Sequence, residues 1–381
     1  MKRKLREVCN FYSGTGFPVK YQGETNGELP FYKVGDIANN AVVGNVYLSL
    51  CNNYISHAVA DEIRGTIIPA NVVVFAKIGE ALKLNRRAIT SCECLIDNNA
   101  MGIGGKPEYL DSKFFYFFMK NLKMEVLAES TTVPSVRKTK LEEVEIEVPP
   151  LDKQAEMVVV LSTLQKIISE RQEQLIKCDE LIKARFVELF GNPDINEKGW
   201  ETCKLERLCD VGSSKRIYQN EQSMTGIPFL RIADLVNRMD NGTLDCDLFI
   251  PEARFEELKE QGLVPQCGDI LLTARGTLGR CYIVEKDDEF YFQDGMITWL
   301  SHYDGRVTPL YISYLFEMPG FRKQIDSLQA GSTVAYLSIA MTKKLDVMIP
   351  SMDVQNQFAN FVKQVDKSKF LCSLFYGLFT C

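Results

Sequence analysis

The chain has 381 residues, 46% of them hydrophobic and 25% charged, an ordinary globular composition with room for two domain-sized cores. No run of 18 or more apolar residues occurs, and the basic start Met1-Lys2-Arg3-Lys4-Leu5 lacks the apolar segment of a secretory signal; neither a membrane span nor export is expected, and the expected location is the cytoplasm. The net charge of −6, with a pI near 5.3, argues mildly against a nucleic-acid binder without excluding one, because binding depends on where the charge sits.

From the first residues onward the chain can be read in two parallel tracks. Lys4-Leu5-Arg6-Glu7-Val8-Cys9 returns as Lys204-Leu205-Glu206-Arg207-Leu208-Cys209. Leu29-Pro30-Phe31-Tyr32-Lys33-Val34-Gly35-Asp36-Ile37 returns as Ile227-Pro228-Phe229-Leu230-Arg231-Ile232-Ala233-Asp234-Leu235, the same order of apolar, proline, phenylalanine, basic, small and acidic positions. Next comes a β-branched run, Val72-Val73-Val74-Phe75-Ala76-Lys77, and its counterpart Asp269-Ile270-Leu271-Leu272-Thr273-Ala274-Arg275. These read as buried strands, each closed by a basic residue and a glycine-bearing turn at Gly79 or at Gly276 and Gly279. Gly102-Ile103-Gly104-Gly105-Lys106 has neither the spacing nor the hydroxyl residue of a phosphate-binding loop and is expected to be a turn. Aromatic helices follow at Phe114–Met119 and Tyr311–Phe316. Each track then closes alike: Thr132-Val133-Pro134-Ser135 answers Thr333-Val334-Ala335-Tyr336, and Pro149-Pro150-Leu151-Asp152-Lys153-Gln154 answers Pro350-Ser351-Met352-Asp353-Val354-Gln355, at a constant offset of 201 residues. Repeated agreement in one order points to duplication.

Between the tracks, residues 152 to 190 contain no proline or glycine and stop at Gly191-Asn192-Pro193, the signature of one long helix. Leu161, Leu164, Ile168, Leu175, Cys178, Ile182 and Leu189 fall on one seam, with Arg171 and Arg185 interrupting it. Such a seam needs a partner. The segment from Asp353 through Phe358, Phe361, Val362 and Val365 supplies one as an antiparallel mate, although packing of the long helix on one domain's core is the alternative. The expected architecture is therefore α/β (α+β) in two domains: similar globular units at 1–150 and 200–350, a spacer helix at 151–191 and a distal helix at 351–381. Beyond Lys369 the apolar tail lacks helical charge patterning, so the distal helix is expected to be cut to about half the first.

Thr132-Val133-Pro134-Ser135, the Pro149–Gln154 segment and Ala184-Arg185-Phe186-Val187-Glu188-Leu189-Phe190-Gly191-Asn192-Pro193 resemble the central conserved region of type I restriction–modification specificity subunits; Gly331-Ser332-Thr333-Val334 and Pro350–Gln355 resemble the distal one. The resemblance spans nearly the whole chain. It implies two target-recognition domains, each reading half of a split double-stranded DNA site, with paired helices as a ruler. It further implies docking of two adenine methyltransferase (modification) subunits and of restriction and translocase subunits. No cofactor is then expected on this chain: S-adenosylmethionine, ATP and Mg belong to those partners.

Half-site reading requires base-edge contacts and phosphate anchoring. The equivalent basic positions Lys33 and Arg231, and Lys77 and Arg275, are candidates, with Arg86, Arg87 and Arg280 nearby and with Ser135, Ser332 and Thr333 as loop hydroxyls. At about 1.5 Å per residue, roughly 38 helical residues span about 57 Å, enough to hold two readers one to two duplex turns apart. The rival readings are weaker. The twelve cysteines read as small reduced hydrophobes, and the two histidines, His57 and His302, stand apart from any zinc-ligand spacing. The acid pairs Glu142-Glu143 and Asp287-Asp288 read as solvated loops, and neither a catalytic triad nor a methyltransferase motif is present. A two-lobed protein-binding adaptor without DNA specificity remains the second reading.

Overall fold

The computed structural model describes residues 1–129, 133–329 and 335–380. The chain forms two compact units, Met1–Glu170 and Arg171–Cys381, so the long helix Leu151–Phe190 contributes to both.

In the first unit a four-stranded antiparallel sheet runs in the spatial order Cys9–Ser13, Ala100–Gly105, Val73–Ala76, Arg87–Ile89. Its central strand is buried along its whole length because both faces are covered: Val73 and Phe75 pack into one apolar cluster, Val72 and Val74 into another. A strand covered on both sides reads as a continuous apolar run. A smaller sheet places Leu29–Tyr32 between Tyr54–Ile55, antiparallel, and Leu95–Ile96, parallel. A third ladder, Lys2–Lys4 with Glu145–Glu147, ties the two ends of the domain together.

The second unit repeats this plan. Its four-stranded sheet runs Asp210–Gly212, Ile297–Ser301, Ile270–Thr273, Cys281–Ile283; its three-stranded sheet sets Ile227–Leu230 between Phe249–Ile250 and Tyr291–Phe292; and Glu201–Lys204 pairs with Asp346–Ile349. The duplication legible in the residues is thus a duplication of topology. The aromatic helices occupy Ser112–Asn121 and Pro309–Glu317.

One glutamine in each unit explains why the closing motif recurs. Gln154 is fully buried. Its Oε1 accepts from the Asp111 amide at 2.9 Å, and its Nε2 donates to the carbonyls of Tyr109 (2.7 Å) and Pro149 (2.8 Å). Gln355 does the same with the Thr308 amide (2.8 Å) and the carbonyls of Arg306 (2.8 Å) and Pro350 (2.9 Å). Asp111 and Thr308 are the N-caps of the two aromatic helices. Each glutamine therefore joins the first turn of one long helix to the start of an aromatic helix and leaves none of those backbone groups orphaned.

In the second unit the helix Leu151–Phe190 meets the distal helix Met352–Thr380. Phe358 packs edge-on against Phe186 (ring centroids 5.5 Å apart) and Phe190 (5.4 Å), Arg185 lies over the Phe361 ring at 5.6 Å, and Lys369 pairs with Asp179. As one number rises the other falls, so the helices are antiparallel, as expected. Phe358, Val362 and Val365 are buried and Phe361 is partly so.

Several expectations need correction. The buried stripe at the end of the long helix is Ile182, Phe186 and Phe190, with Cys178 partly buried before them. A spacing of four fits packing into a globular core better than a heptad seam, and it leaves Leu189 only partly buried. Leu161, Leu164, Ile168 and Leu175 are half-buried. The distal helix does not stop near Lys369 but continues to Thr380, 29 residues against 40 in the first. Gly102 and Gly104 lie in a strand, not a turn: a Cβ at Gly102 would sit 2.9 Å from a Val72 methyl, so the glycines make room for close packing. Asp288 is not solvated; its carboxylate accepts from the Tyr282 hydroxyl (2.7 Å) and the Glu285 amide (2.7 Å) and faces Arg238. Among the described residues, ten cysteines are free thiols. Burial pushes the thiols of Cys9 and Cys209 up to about 12. Among the described residues no group of side chains could hold a metal ion, and no helix is long and apolar enough to cross a membrane.

Candidate nucleic-acid interface

The strand Val73–Ala76 delivers Lys77 to the edge of the first domain, where the chain turns at Gly79 (φ 76°). The closing segment lies along this turn: the Val136 amide donates to the Lys77 carbonyl (2.9 Å), and the Gly79 amide to the Pro134 carbonyl (2.8 Å). Lys77 and Ser135, 58 positions apart in the sequence, are thereby brought together. The Ser135 carbonyl accepts from the Glu129 amide at 3.0 Å. Lys77 has no carboxylate partner among the described residues.

The second domain builds the same joint, but the two basic residues are not equivalent as the sequence suggested: Ala274 takes the place of Lys77, and Arg275 that of Ile78, which bridges Ser135. Ile270–Thr273 leads through buried Ala274 to exposed Arg275, and the Leu337 amide donates to the Ala274 carbonyl at 2.9 Å. Where the first domain has Ser135, the second has Tyr336, and the Arg275 guanidinium lies over its ring at 5.2 Å from the centroid. Ser332 and Thr333, candidates from the sequence, lie outside the described residues.

The remaining candidates are distributed as follows. Lys33 and Arg231 do sit at equivalent places, but those places are helix N-caps. The Lys33 amide donates to the Asp36 carboxylate (2.9 Å) and the Arg231 amide to that of Asp234 (2.8 Å), starting the helices Val34–Val42 and Ile232–Asn241. The repeated basic-x-x-Asp pattern is therefore a capping device first. The Lys33 ammonium donates to the Gln22 side chain (3.0 Å), and the Arg231 guanidinium to Asp234 (3.0 and 3.2 Å). Arg280 is paired with Asp240 at 2.6 Å. Arg86 is half-buried and unpaired among the described residues.

Arg87 cannot face a ligand. It is 2% exposed, and its guanidinium donates to the Asn85 carbonyl (2.6 Å), the Asn85 side chain (2.7 Å) and the Leu122 carbonyl (2.8 Å). Burial pulls its pKa down to about 10. It is an internal strut between its strand and the end of the aromatic helix.

Sequence reasoning overlooked the exposed basic run Arg137, Lys138 and Lys140, which follows Ser135 directly. Arg137 reaches Glu129 at 2.9 Å, and Lys138 lies over the Phe11 ring. The R-K-x-K spacing was its signal. It also overlooked Tyr336 as the partner of Arg275, since pairing across 61 residues leaves no local pattern. The charge is uneven: residues 1–150 carry 18 basic and 17 acidic side chains, residues 201–350 carry 16 and 22. In the second domain most arginines are held by carboxylates, among them Arg216 by Asp294, Arg238 by Asp288, Arg254 by Glu221 and Arg306 by Asp304. Its acidity therefore neutralises arginines locally, and Arg275 is exempt.

The family model for the type I restriction modification DNA specificity domain matches twice, over residues 1–185 and 197–371. A putative type I restriction enzyme specificity subunit of Haemophilus influenzae is 24% identical over 96% of this chain and 87% of its own length. A type I restriction enzyme specificity subunit of Methanocaldococcus jannaschii is 22% identical over 71% of this chain and 67% of its own. Among solved structures, the S subunit of a type I restriction–modification system from M. genitalium superposes with a TM-score of 0.55 at 15% identity, covering 100% of this chain and 92% of that one.

Proposed function

Given that the chain belongs to the family of type I restriction–modification DNA specificity proteins, we propose that its two domains each read one half of a split double-stranded target and that the helix Leu151–Phe190 sets the unread interval. The observation that carries this reading is the joint built twice. In both domains the same inner strand of the four-stranded sheet runs out against the closing segment of its own domain, and a basic residue stands at that exit: Lys77 in the first and, one register position further on, Arg275 in the second. Phosphate anchoring falls to Lys77, Arg86, Lys140 and the hydroxyl of Ser135. The chain supplies recognition. Two adenine methyltransferase subunits bring S-adenosylmethionine, and restriction and translocase subunits bring ATP and Mg; the chain works as the part of that complex that chooses the site.

The test is an exchange of residues 1–150 for the corresponding domain of another family member, followed by mapping of methylated sites in cells that also make the modification subunits. One half of the methylated motif should change and the other persist. Change in both halves, or binding without sequence preference at any salt concentration, would favour the adaptor reading instead.

A second expectation concerns the interval. Val158 packs on the first domain's core and Cys178 on the second's, and among the described residues no side chain of 166–177 is part of either cluster. Inserting four residues between 166 and 177 adds about one turn, roughly 6 Å, and should lengthen the preferred spacer by about one or two base pairs at about 3.4 Å each. The same methylation map reads the change.

A further inference from the structure

We infer that Arg275 reads a guanine in the second half-site, as a guanidinium held ready on Tyr336. The inference rests on the DNA reading proposed above.

The loop that presents Arg275 is built to be rigid. The Thr273 hydroxyl donates to the Thr277 carbonyl (2.6 Å) and accepts from the Arg280 amide (3.0 Å), while the Gly279 amide donates to the Thr273 carbonyl (2.9 Å). Gly276 and Gly279 take positive φ, 69° and 72°, which lets the chain turn this tightly. Leu278 is buried, and its carbonyl accepts from Arg322 at 2.6 Å. The tip that remains, Arg275-Gly276-Thr277, is exposed.

Tyr336 is fixed just as firmly. The Gln329 side chain donates to the Tyr336 carbonyl (2.8 Å) and accepts from its amide (2.8 Å). The guanidinium carbon stands 5.2 Å from the centroid of this ring, within cation–π range. The arginine N–H donors lie in the plane of the group and stay available. No carboxylate reaches Arg275 among the described residues, whereas its neighbour Arg280 is held by Asp240. An ordered, unpaired guanidinium with a free donor fork is the group that matches O6 and N7 of guanine in the major groove. The first domain has Ile78 at this register position, opposite Ser135, so the two half-sites are read by different chemistry.

The test uses the full chain made together with its modification subunits in a host lacking adenine methylation, with the methylated motif mapped at single-base resolution. The half that changes when residues 201–350 are exchanged should contain a G·C pair that Arg275→Ala relaxes, cutting discrimination at that position roughly tenfold to a hundredfold. The first half should stay as it was. Arg275→Gln should move the preference at the same position toward adenine, the base a glutamine fork matches. Tyr336→Ala should relax it in part, and Tyr336→Phe should retain it. An unchanged motif with Arg275→Gln in an active complex would overturn the inference. So would an even loss of methylation at all sites with Arg275→Ala, the behaviour of a phosphate contact. If the unaltered protein gives no split motif at all, the DNA reading itself has failed.

Discussion

Replacing Phe186 with alanine should lower the stability of the second unit by about 3–5 kcal/mol, the cost of emptying a closed aromatic site. Phe186 is fully buried where three helices meet. Its ring lies 4.7 Å from that of Phe190, 5.7 Å from Tyr311 on the aromatic helix and 5.5 Å from Phe358 on the distal helix. Tyr311 is itself fixed by its hydroxyl, which donates to the Met348 carbonyl at 3.0 Å. None of these neighbours can move into the space without giving up another contact, so the cavity term is large. Leu189→Ala should cost much less, about 1 kcal/mol, because that side chain is already partly in water. Denaturant titration of both variants decides the matter. Equal losses would mean that the heptad position, and not the Ile182-Phe186-Phe190 stripe, holds the helix.

Gln355→Leu should destabilise the same unit by about 3 kcal/mol, and Gln154→Leu the other unit by a similar amount. Leucine fills the volume but leaves an amide and two carbonyls buried without partners, at about 1–3 kcal/mol for each group that water cannot reach. Glutamate tests the mechanism more sharply. It keeps the acceptor for the Thr308 amide but turns a carboxylate oxygen toward the carbonyls of Arg306 and Pro350. Its folded pKa must rise, so the unfolded state ionises first and stability falls as pH climbs above the ordinary carboxylate value near 4.3. Melting curves of Gln355→Glu between about pH 4 and pH 7 should show a widening deficit. A constant deficit would mean that the side chain escapes to solvent.

What could be read from the residues followed from whether a local pattern carried the information. The duplication, the long helix and both aromatic helices are contiguous patterns and were legible. The recurring glutamine was visible as a repeat, but not its task, since its partners Tyr109 and Arg306 lie 45 and 49 positions away. Arg87 was misassigned because its strand is buried on both faces: Ala88 packs into one cluster and Ile89 into another, so no alternation warned that the arginine points inward. Gly102 and Gly104 were misassigned for a related reason, as glycine serves equally to turn a chain and to admit a neighbour's side chain. Among the interface candidates, the duplicated strand end marked the exit but not its register: Arg275 answers Ile78, and Lys77 answers Ala274, one residue off the alignment that the basic residues suggested.

The long helix is gripped at both ends, by Gln154 near its start and by Ile182, Phe186 and Phe190 near its finish. A gripped rod transmits angle as well as length. Each residue added to it rotates one grip by about 100°, so two added residues twist it by about 200° while lengthening it by only about 3 Å. Viable lengths should therefore come in steps near whole turns, such as four or seven residues, which leave residual twists of only about 40° and 20°. On the ruler reading proposed above, insertions near whole turns should be tolerated and intermediate ones should not, which the methylation map of each variant reads.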